Sequence, residues 1–346
     1  MCCNPGVYFD NGIGTSSATK FSIQRTYSPD FPQYPVFSPP FYDFEHDDSS
    51  ILARDFPRNI LVAEDYDSRY VEPIVADKVF DFIDNHAAQD KPFFLYYAAR
   101  LGHAPFNTPE SYRNKTEAGI LGEAIMLTDE IVGQLMDKLQ QHGIDDNTLV
   151  VFTSDNGSHD GPHVKKLYGH DQNGMDVVGR TRSWSLRGRK NDIWDGGHRI
   201  PLIFRWPGKI APRIDEANVV SLIDIYGTMA DILGVERTCY EAPDSRSLWP
   251  LLSNQAQDVQ GDVIHHGMNG ATVALRKGHY KWIPDNNELF NMHIDLEEKH
   301  NLVGKFTKTG YLYTNLAVSM NETLNHMINK ITEREIRTAR GTLGIC

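Results

Sequence analysis

A chain that runs Leu149-Val150-Val151-Phe152-Thr153 and then breaks at Ser154-Asp155-Asn156-Gly157 has few folds open to it. The continuous apolar run, rich in β-branched residues, predicts a strand covered on both faces, as in a parallel sheet. Ahead of it, Glu123 to Gln141 carries Ile125, Leu127, Ile131, Leu135 and Leu139 on or near one helical stripe, with Gly143 as its stop. Further upstream, Lys91-Pro92-Phe93-Phe94-Leu95-Tyr96-Tyr97-Ala98 reads as another buried strand. Strand, helix, strand is the unit of a right-handed parallel crossover. In open sheets of this kind ligands bind beyond the carboxyl ends of the strands. That rule places Asp155 and Asn156 at the active edge. Their hard oxygens suit Ca²⁺ or Mg²⁺, and Gly157 lets the backbone turn sharply. An ordinary Asp-Asn-Gly turn would look the same from these residues alone.

The rest of the chain continues the α/β alternation and then changes texture. Residues 1 to about 60 read as loop, with prolines at 29, 32, 35, 39 and 40 and an acidic cluster at Glu45-His46-Asp47-Asp48. A loop of that length signals a functional insertion or a segment packed on something else. A helix is expected over 71 to 87, a strand over Ile200 to Trp206 and a helix over Ile223 to Leu233. After a linker at about 236 to 260, short runs at Val263-Ile264, Thr272 to Leu275, Tyr280 to Ile283 and Glu288 to Asn291 suggest a small antiparallel subdomain. A terminal helix closes the chain through Leu316, Met320, Leu324, Met327 and Ile331. The domains are therefore read as 1–250, loop-rich over 1–60, and 251–346.

Composition narrows the function classes. The 346 residues include 34 basic and 46 acidic side chains, a net charge of −12, and no basic stripe of the kind a nucleic-acid partner requires. No apolar run approaches the roughly 20 residues of a membrane helix, and Met1-Cys2-Cys3-Asn4-Pro5 has neither a basic nor an apolar signal region. Four cysteines, at 2, 3, 239 and 346, show no metal-ligand spacing and are too few for a disulfide scaffold.

Four motifs then fall in order: Lys91 to Ala98 followed by Gly102-His103-Ala104-Pro105; Phe152 to Gly157; Leu186-Arg187-Gly188-Arg189-Lys190 leading to Trp194-Asp195-Gly196-Gly197-His198-Arg199-Ile200-Pro201; and Leu222-Ile223-Asp224-Ile225-Tyr226-Gly227-Thr228. Together they resemble the sulfatase family, most closely its arylsulfatase A-like branch, over roughly residues 70 to 300. The resemblance implies an alkaline-phosphatase-like α/β fold with a mixed, mostly parallel sheet flanked by helices. It also implies calcium-dependent hydrolysis of sulfate monoesters and a sulfated small molecule or glycan as substrate. Family members are typically secreted, periplasmic or lysosomal. Position by position, Asp155 and Asn156 match calcium ligands, and His103 matches a histidine that contacts the sulfate ester and helps protonate the leaving oxygen. Lys190 matches the lysine that neutralises sulfate oxygens, a role that makes sense because charge moves onto those oxygens in the transition state. His198 and Arg199 would support the loop, while His265 and His266 resemble substrate-facing positions.

The sequence also departs from the family pattern. The cysteine that becomes formylglycine sits in a Cys-x-(Pro or Ala)-(Ser or Cys)-x-Arg context, and no such context occurs here; Cys3-Asn4-Pro5-Gly6-Val7 lacks the serine and the arginine. Neither Asp47-Asp48 nor Asp145-Asp146 follows an apolar strand, as the family's Asp-Asp metal pair does. The expectation is that the chain starts partway through a sulfatase, without the first strands, and shows no turnover by itself. Two rivals stand beside it: a non-catalytic protein binding sulfated glycans, and a phosphodiesterase or phosphatase of the same superfold.

Overall fold

The computed structural model describes residues 7–9, 25–27, 35–37, 60–62, 69–89, 91–101, 108–113, 115–116, 119–157, 186–238, 241–259, 261–270 and 272–339. The chain divides into two compact units, one comprising 1–148 and 159–183, the other 149–158 and 184–346.

The first unit holds four short strands, β1 (Val7–Phe9), β2 (Arg25–Tyr27), β3 (Pro35–Phe37) and β4 (Ile60–Val62), paired antiparallel in the order β1-β4-β3-β2. These strands were not foreseen in the stretch read as loop, most of which lies outside the described residues. Three-residue strands are too short to show a period of two, so the prolines and aromatics between them dominated the pattern. Helix α1 (Val71–Ala87) follows the expected bounds, and α2 (Gly119–Gln141) begins a few residues earlier than expected. Ala76 of α1 packs with Leu127 and Ile131 of α2, and Phe80, Tyr97 and Leu101 close over them. The buried carboxylate of Glu72 accepts the Tyr97 hydroxyl and, at 3.0 Å, the Arg100 amide, fixing the segment that follows α1.

Lys91 to Ala98 is not a strand. The segment keeps the alternation of one, with Phe94 and Tyr96 83% and 80% exposed and their neighbours half-buried, yet it joins no ladder among the described residues. Alternating burial is a local property of the sequence; pairing is a separate, non-local event.

In the second unit β5 (Val150–Thr153) pairs with β6 (Leu202–Arg205) antiparallel, Val150 opposite Arg205 and Thr153 opposite Leu202. A parallel ladder had been expected for this strand. The direction follows from the route of the chain. Past the end of β5 the Gly157 amide bonds the Gly197 carbonyl at 3.0 Å, and β6 departs from that same end after the turn α3 (Asp195–His198). Nor is β5 covered on both faces, since Phe152 is exposed. Beyond it come α4 (Asp224–Leu233) and α5 (Trp249–Leu252).

The expected C-terminal sheet is present: β7 (Val263–His266), β8 (Val273–Lys277), β9 (Tyr280–Ile283) and β10 (Glu288–Asn291), antiparallel in the order β10-β9-β8-β7. Helix α6 (Tyr313–Ala339) lies on one face, where Leu275, Trp282 and Leu289 meet Ala317, Met320 and Leu324. The alternate residues Ala274, Ile283 and Phe290 face the other way and pack with Ile193 and Trp194. The sheet is thus covered on both sides, by a helix and by the loop that leads into α3. Among the described residues no helix is long and apolar enough to cross a membrane.

Candidate functional site

Three backbone segments of the second unit meet at glycines. A Cβ on Gly157 would sit 1.8 Å from the Gly196 carbonyl oxygen, one on Gly196 would sit 2.2 Å from that of Gly188, and one on Gly197 would sit 2.5 Å from that of Asp192. Hydrogen bonds run through the same contacts, from the Gly157 amide to Gly197 (3.0 Å) and from the Gly196 amide to Arg187 (2.8 Å). Gly157 therefore serves less to turn the chain than to let another backbone touch it; its φ lies outside the left-handed region. Gly188, by contrast, takes φ 78° to fold the loop back. That loop is braced by the Arg189 amide on Asp192 Oδ2 (3.1 Å) and by the Asn191 carbonyl, which accepts the Met268 amide at the end of β7 (3.0 Å).

Beneath α3 lies a buried ion network. Lys281 of β9 is fully buried, and its Nζ is 2.9 Å from Asp195 Oδ1 and 2.8 Å from Glu298 Oε1. Glu298 Oε2 accepts the Asp195 amide at 2.8 Å, from a residue held at φ 52°. Burial pushes the Glu298 carboxyl above its ordinary range, a rise that Lys281 partly offsets. Arg187 stacks on Trp194 with its guanidinium carbon 4.2 Å from the ring centre and pairs with Glu288 at 3.2 Å.

Beside α3, His198 stacks on His265, ring centres 4.3 Å apart, and meets His266 edge-on at 6.5 Å. Burial, with the Lys281 charge second, pushes His198 down to about 4, and burial takes His265 well below its ordinary value. Both rings are neutral at pH 7, so this patch offers uncharged nitrogen rather than cationic charge.

The expected site residues can now be located. Asp155 is exposed and Asn156 half-buried immediately before Gly157, and Lys190 is half-buried on the loop whose backbone grips Gly196 and Gly197. One set of backbone contacts thus ties the segments carrying Asp155, Asn156 and Lys190. His103 lies outside the described residues. A cavity of about 550 Å³ between Leu186, Arg187 and the Glu297 to Asn301 loop contains none of these residues. In the fourth motif, the Asp224 carboxylate is fully buried and holds Arg246 at 2.8 Å, while Gly227, where the family carries proline, gives its amide to Ser245 Oγ at 2.7 Å. Both are supports for α4.

A hard divalent cation can be tested against this donor set. Asn156 Nδ2 donates to the Gly157 carbonyl at 2.9 Å, which leaves Oδ1 as the acceptor end of that side chain. With Asp155 it offers two oxygen-bearing side chains, whereas Ca²⁺ takes roughly 6–8 oxygens. Among the described residues no group of three or more His, Cys, Asp or Glu is placed to hold a metal. The described residues alone do not fit calcium.

Sequence reasoning missed Lys281 and Glu298. The one available signal was a lysine inside the apolar run Tyr280-Lys281-Trp282-Ile283, on the face opposite Trp282.

Known proteins bear out the likeness seen in the motifs. The curated relatives include an N-acetylgalactosamine-6-O-sulfatase of Bacteroides thetaiotaomicron, 32% identical over 213 residues, covering 62% of this chain and 40% of the relative. An arylsulfatase of Hemicentrotus pulcherrimus is 28% identical over 252 residues, covering 70% and 42%. The chain therefore spans about two fifths of the length of these relatives. A solved Bacteroides thetaiotaomicron structure, named for the metabolism of multiple glycosaminoglycans, superposes with a TM-score of 0.64 at 26% identity, over 79% of this chain and 58% of that one. A phosphonate monoester hydrolase of Agrobacterium radiobacter, 18% identical with a TM-score of 0.51 over 78% and 62%, shares the fold. The Sulfatase family profile matches residues 4–235, two thirds of the sequence, and the chain belongs to the sulfatase family.

Proposed function

We propose that this chain recognises sulfate monoesters of saccharides through the Lys190 loop and the end of β5, and that it does not hydrolyse them unaided. The observation that carries the reading is the glycine junction, which ties the Lys190 segment to the Asp155-Asn156 segment by direct backbone contact. In this reading the Lys190 ammonium lies against sulfate oxygens and neutralises their charge. His266, the exposed member of the histidine patch, faces the saccharide. Asp155 and Asn156 place two oxygen-bearing side chains beside it, too few on their own to hold a calcium ion. The reading of no unaided turnover is supported by the cysteines, none of the four having the context that yields formylglycine. The names of relatives acting on N-acetylgalactosamine 6-sulfate favour a sulfated amino sugar over a sterol or simple aryl ester.

Calorimetric titration of the full chain with N-acetylgalactosamine 6-sulfate, in calcium-containing buffer, tests this. The expected result is binding that weakens at least tenfold in Lys190→Ala and is absent for unsulfated N-acetylgalactosamine. Equal affinity for the two sugars would overturn the assignment. Hydrolysis of an aryl sulfate that disappears in Lys190→Ala would overturn the claim of inactivity.

A further inference from the structure

We infer that Lys281, on a strand of the C-terminal sheet, is a positioning residue for the sulfate site: its double ion pair holds α3 where the backbones carrying Lys190 and Asp155-Asn156 can lock onto it. The inference rests on the proposed function for what the site binds, but not for the mechanics.

The placement of Lys281 is set by the pleat. Trp282 and Leu275 point to α6, so Lys281 and Ile283 point the opposite way, toward the Ile193 to His198 segment. A fully buried ammonium is costly unless its charge and donors are met. Here the charge is met by two carboxylates from distant parts of the unit, through a hydrogen bond to Asp195 at 2.9 Å and an ion pair with Glu298 at 2.8 Å. Glu298 reaches the site from a left-handed backbone, a conformation rare for a residue with a side chain, and its second oxygen takes the Asp195 amide at 2.8 Å. The turn that holds Glu298 is itself tied down, since Asp295 accepts the amides of Lys299 (3.0 Å) and His300 (2.8 Å).

Asp195 is thus gripped by its side chain and by its own amide, at the first position of α3. The next two residues are Gly196 and Gly197, whose backbones have no room to slide: carbonyls of Gly188, Asp192 and Arg189 stand 2.2 to 2.6 Å from where a Cβ would be. Fixing Asp195 therefore fixes Gly196 against Gly188 and Gly197 against the Gly157 amide. An apolar side chain at 281 would fill the same space without holding either carboxylate. An uncharged core would serve packing; the ion pairs add register.

Amide exchange read by mass spectrometry on the full chain separates positioning from bulk stability. In Lys281→Met, segments 155–157 and 187–198 are expected to exchange at least tenfold faster, with 316–328 of α6 within threefold of the parent. Because that variant removes the cation paired with both carboxylates and can fail to fold, Lys281→Met/Glu298→Gln serves as the second variant. It keeps the formal charge of the trio at the parent's −1. A purely structural role predicts that this double variant restores parental exchange everywhere. Positioning predicts that α6 returns to parental exchange while 155–157 and 187–198 stay at least tenfold fast. Uniform acceleration across all segments, or parental exchange at the site in the double variant, would overturn the inference. Titration with N-acetylgalactosamine 6-sulfate adds an independent arm. If the parent does not bind the ester but its exchange behaves as expected, the proposed ligand fails and the positioning role stands.

Discussion

Replacing Gly157 by alanine puts the glycine junction to a quantitative test. The new methyl group would begin 1.8 Å from the Gly196 carbonyl oxygen, 2.8 Å from its carbon and 3.0 Å from the Gly197 carbon, and every one of these is backbone. Cβ contacts under 3.0 Å are essentially unknown, so the strand end and α3 must move apart by more than an ångström. That displacement breaks the 3.0 Å bond from the Gly157 amide to Gly197. Overpacking costs about 1–3 kcal/mol, and loss of a hydrogen bond about 0.5–1.5 kcal/mol. The expected destabilisation is therefore about 2–4 kcal/mol. The first unit contains no tryptophan in its sequence and the second contains Trp194, Trp206, Trp249 and Trp282, so urea unfolding followed by tryptophan fluorescence reports on the relevant part of the chain. Gly133→Ala is the matched control: it is an exposed position of α2 with nothing within 4 Å, and a helical alanine there should stabilise by about 0.5–1 kcal/mol. Because α2 belongs to the first unit, the control needs far-ultraviolet circular dichroism as its probe. A Gly157→Ala midpoint corresponding to less than about 0.5 kcal/mol of lost stability, the range of an innocuous surface change, would refute the reasoning.

Gly227→Pro, which restores the family's usual residue, should destabilise by about 2–4 kcal/mol, because it removes the amide bonded to Ser245 and crowds the Arg246 carbonyl; unchanged urea unfolding would show that α4 can accept proline as it stands. Stability of the second unit should fall as pH drops from about 6.5 toward 4, since native His198, at about 4, binds fewer protons than the unfolded histidine at 6.5. The full gap corresponds to about 3 kcal/mol, and partial exposure of the ring reduces it to roughly 1–2 kcal/mol. His265 acts in the same direction and the raised carboxyl of Glu298 in the opposite one. His198→Phe should flatten the profile between pH 4 and 6.5, and an unaltered slope would remove His198 as its source.

What the sequence made legible was local. Val71–Ala87 and the four short C-terminal strands declare themselves because their apolar spacing needs only neighbouring residues to interpret. Direction of pairing was not legible: β5 reads the same beside a parallel or an antiparallel partner, and the Gly157 to Gly197 contact that decides it joins residues far apart in the chain. The apolar Lys91 to Ala98 segment shows the same gap from the other side, a strand-like alternation of burial without a ladder among the described residues. For the proposed site, Lys190 and Asp155-Asn156 were named from motifs, and the structure adds only that backbone contacts tie their segments together. Lys281 could not. A lysine in a four-residue strand looks solvent-facing until Asp195 and Glu298 are brought beside it by tertiary structure.

The glycine junction has a consequence for how a protein of this kind can diversify. Side-chain packing can be retuned by exchanging one residue for another of similar volume, but a contact made only of peptide groups offers nothing to exchange. Substitution at Gly157, Gly196 or Gly197 is close to all-or-none, so selection can keep or lose the junction and can hardly adjust it. In the proposed site, changes in ligand preference would then fall on side chains around this knot of backbone, such as exposed His266, which can vary without unpicking what holds Lys190 in place.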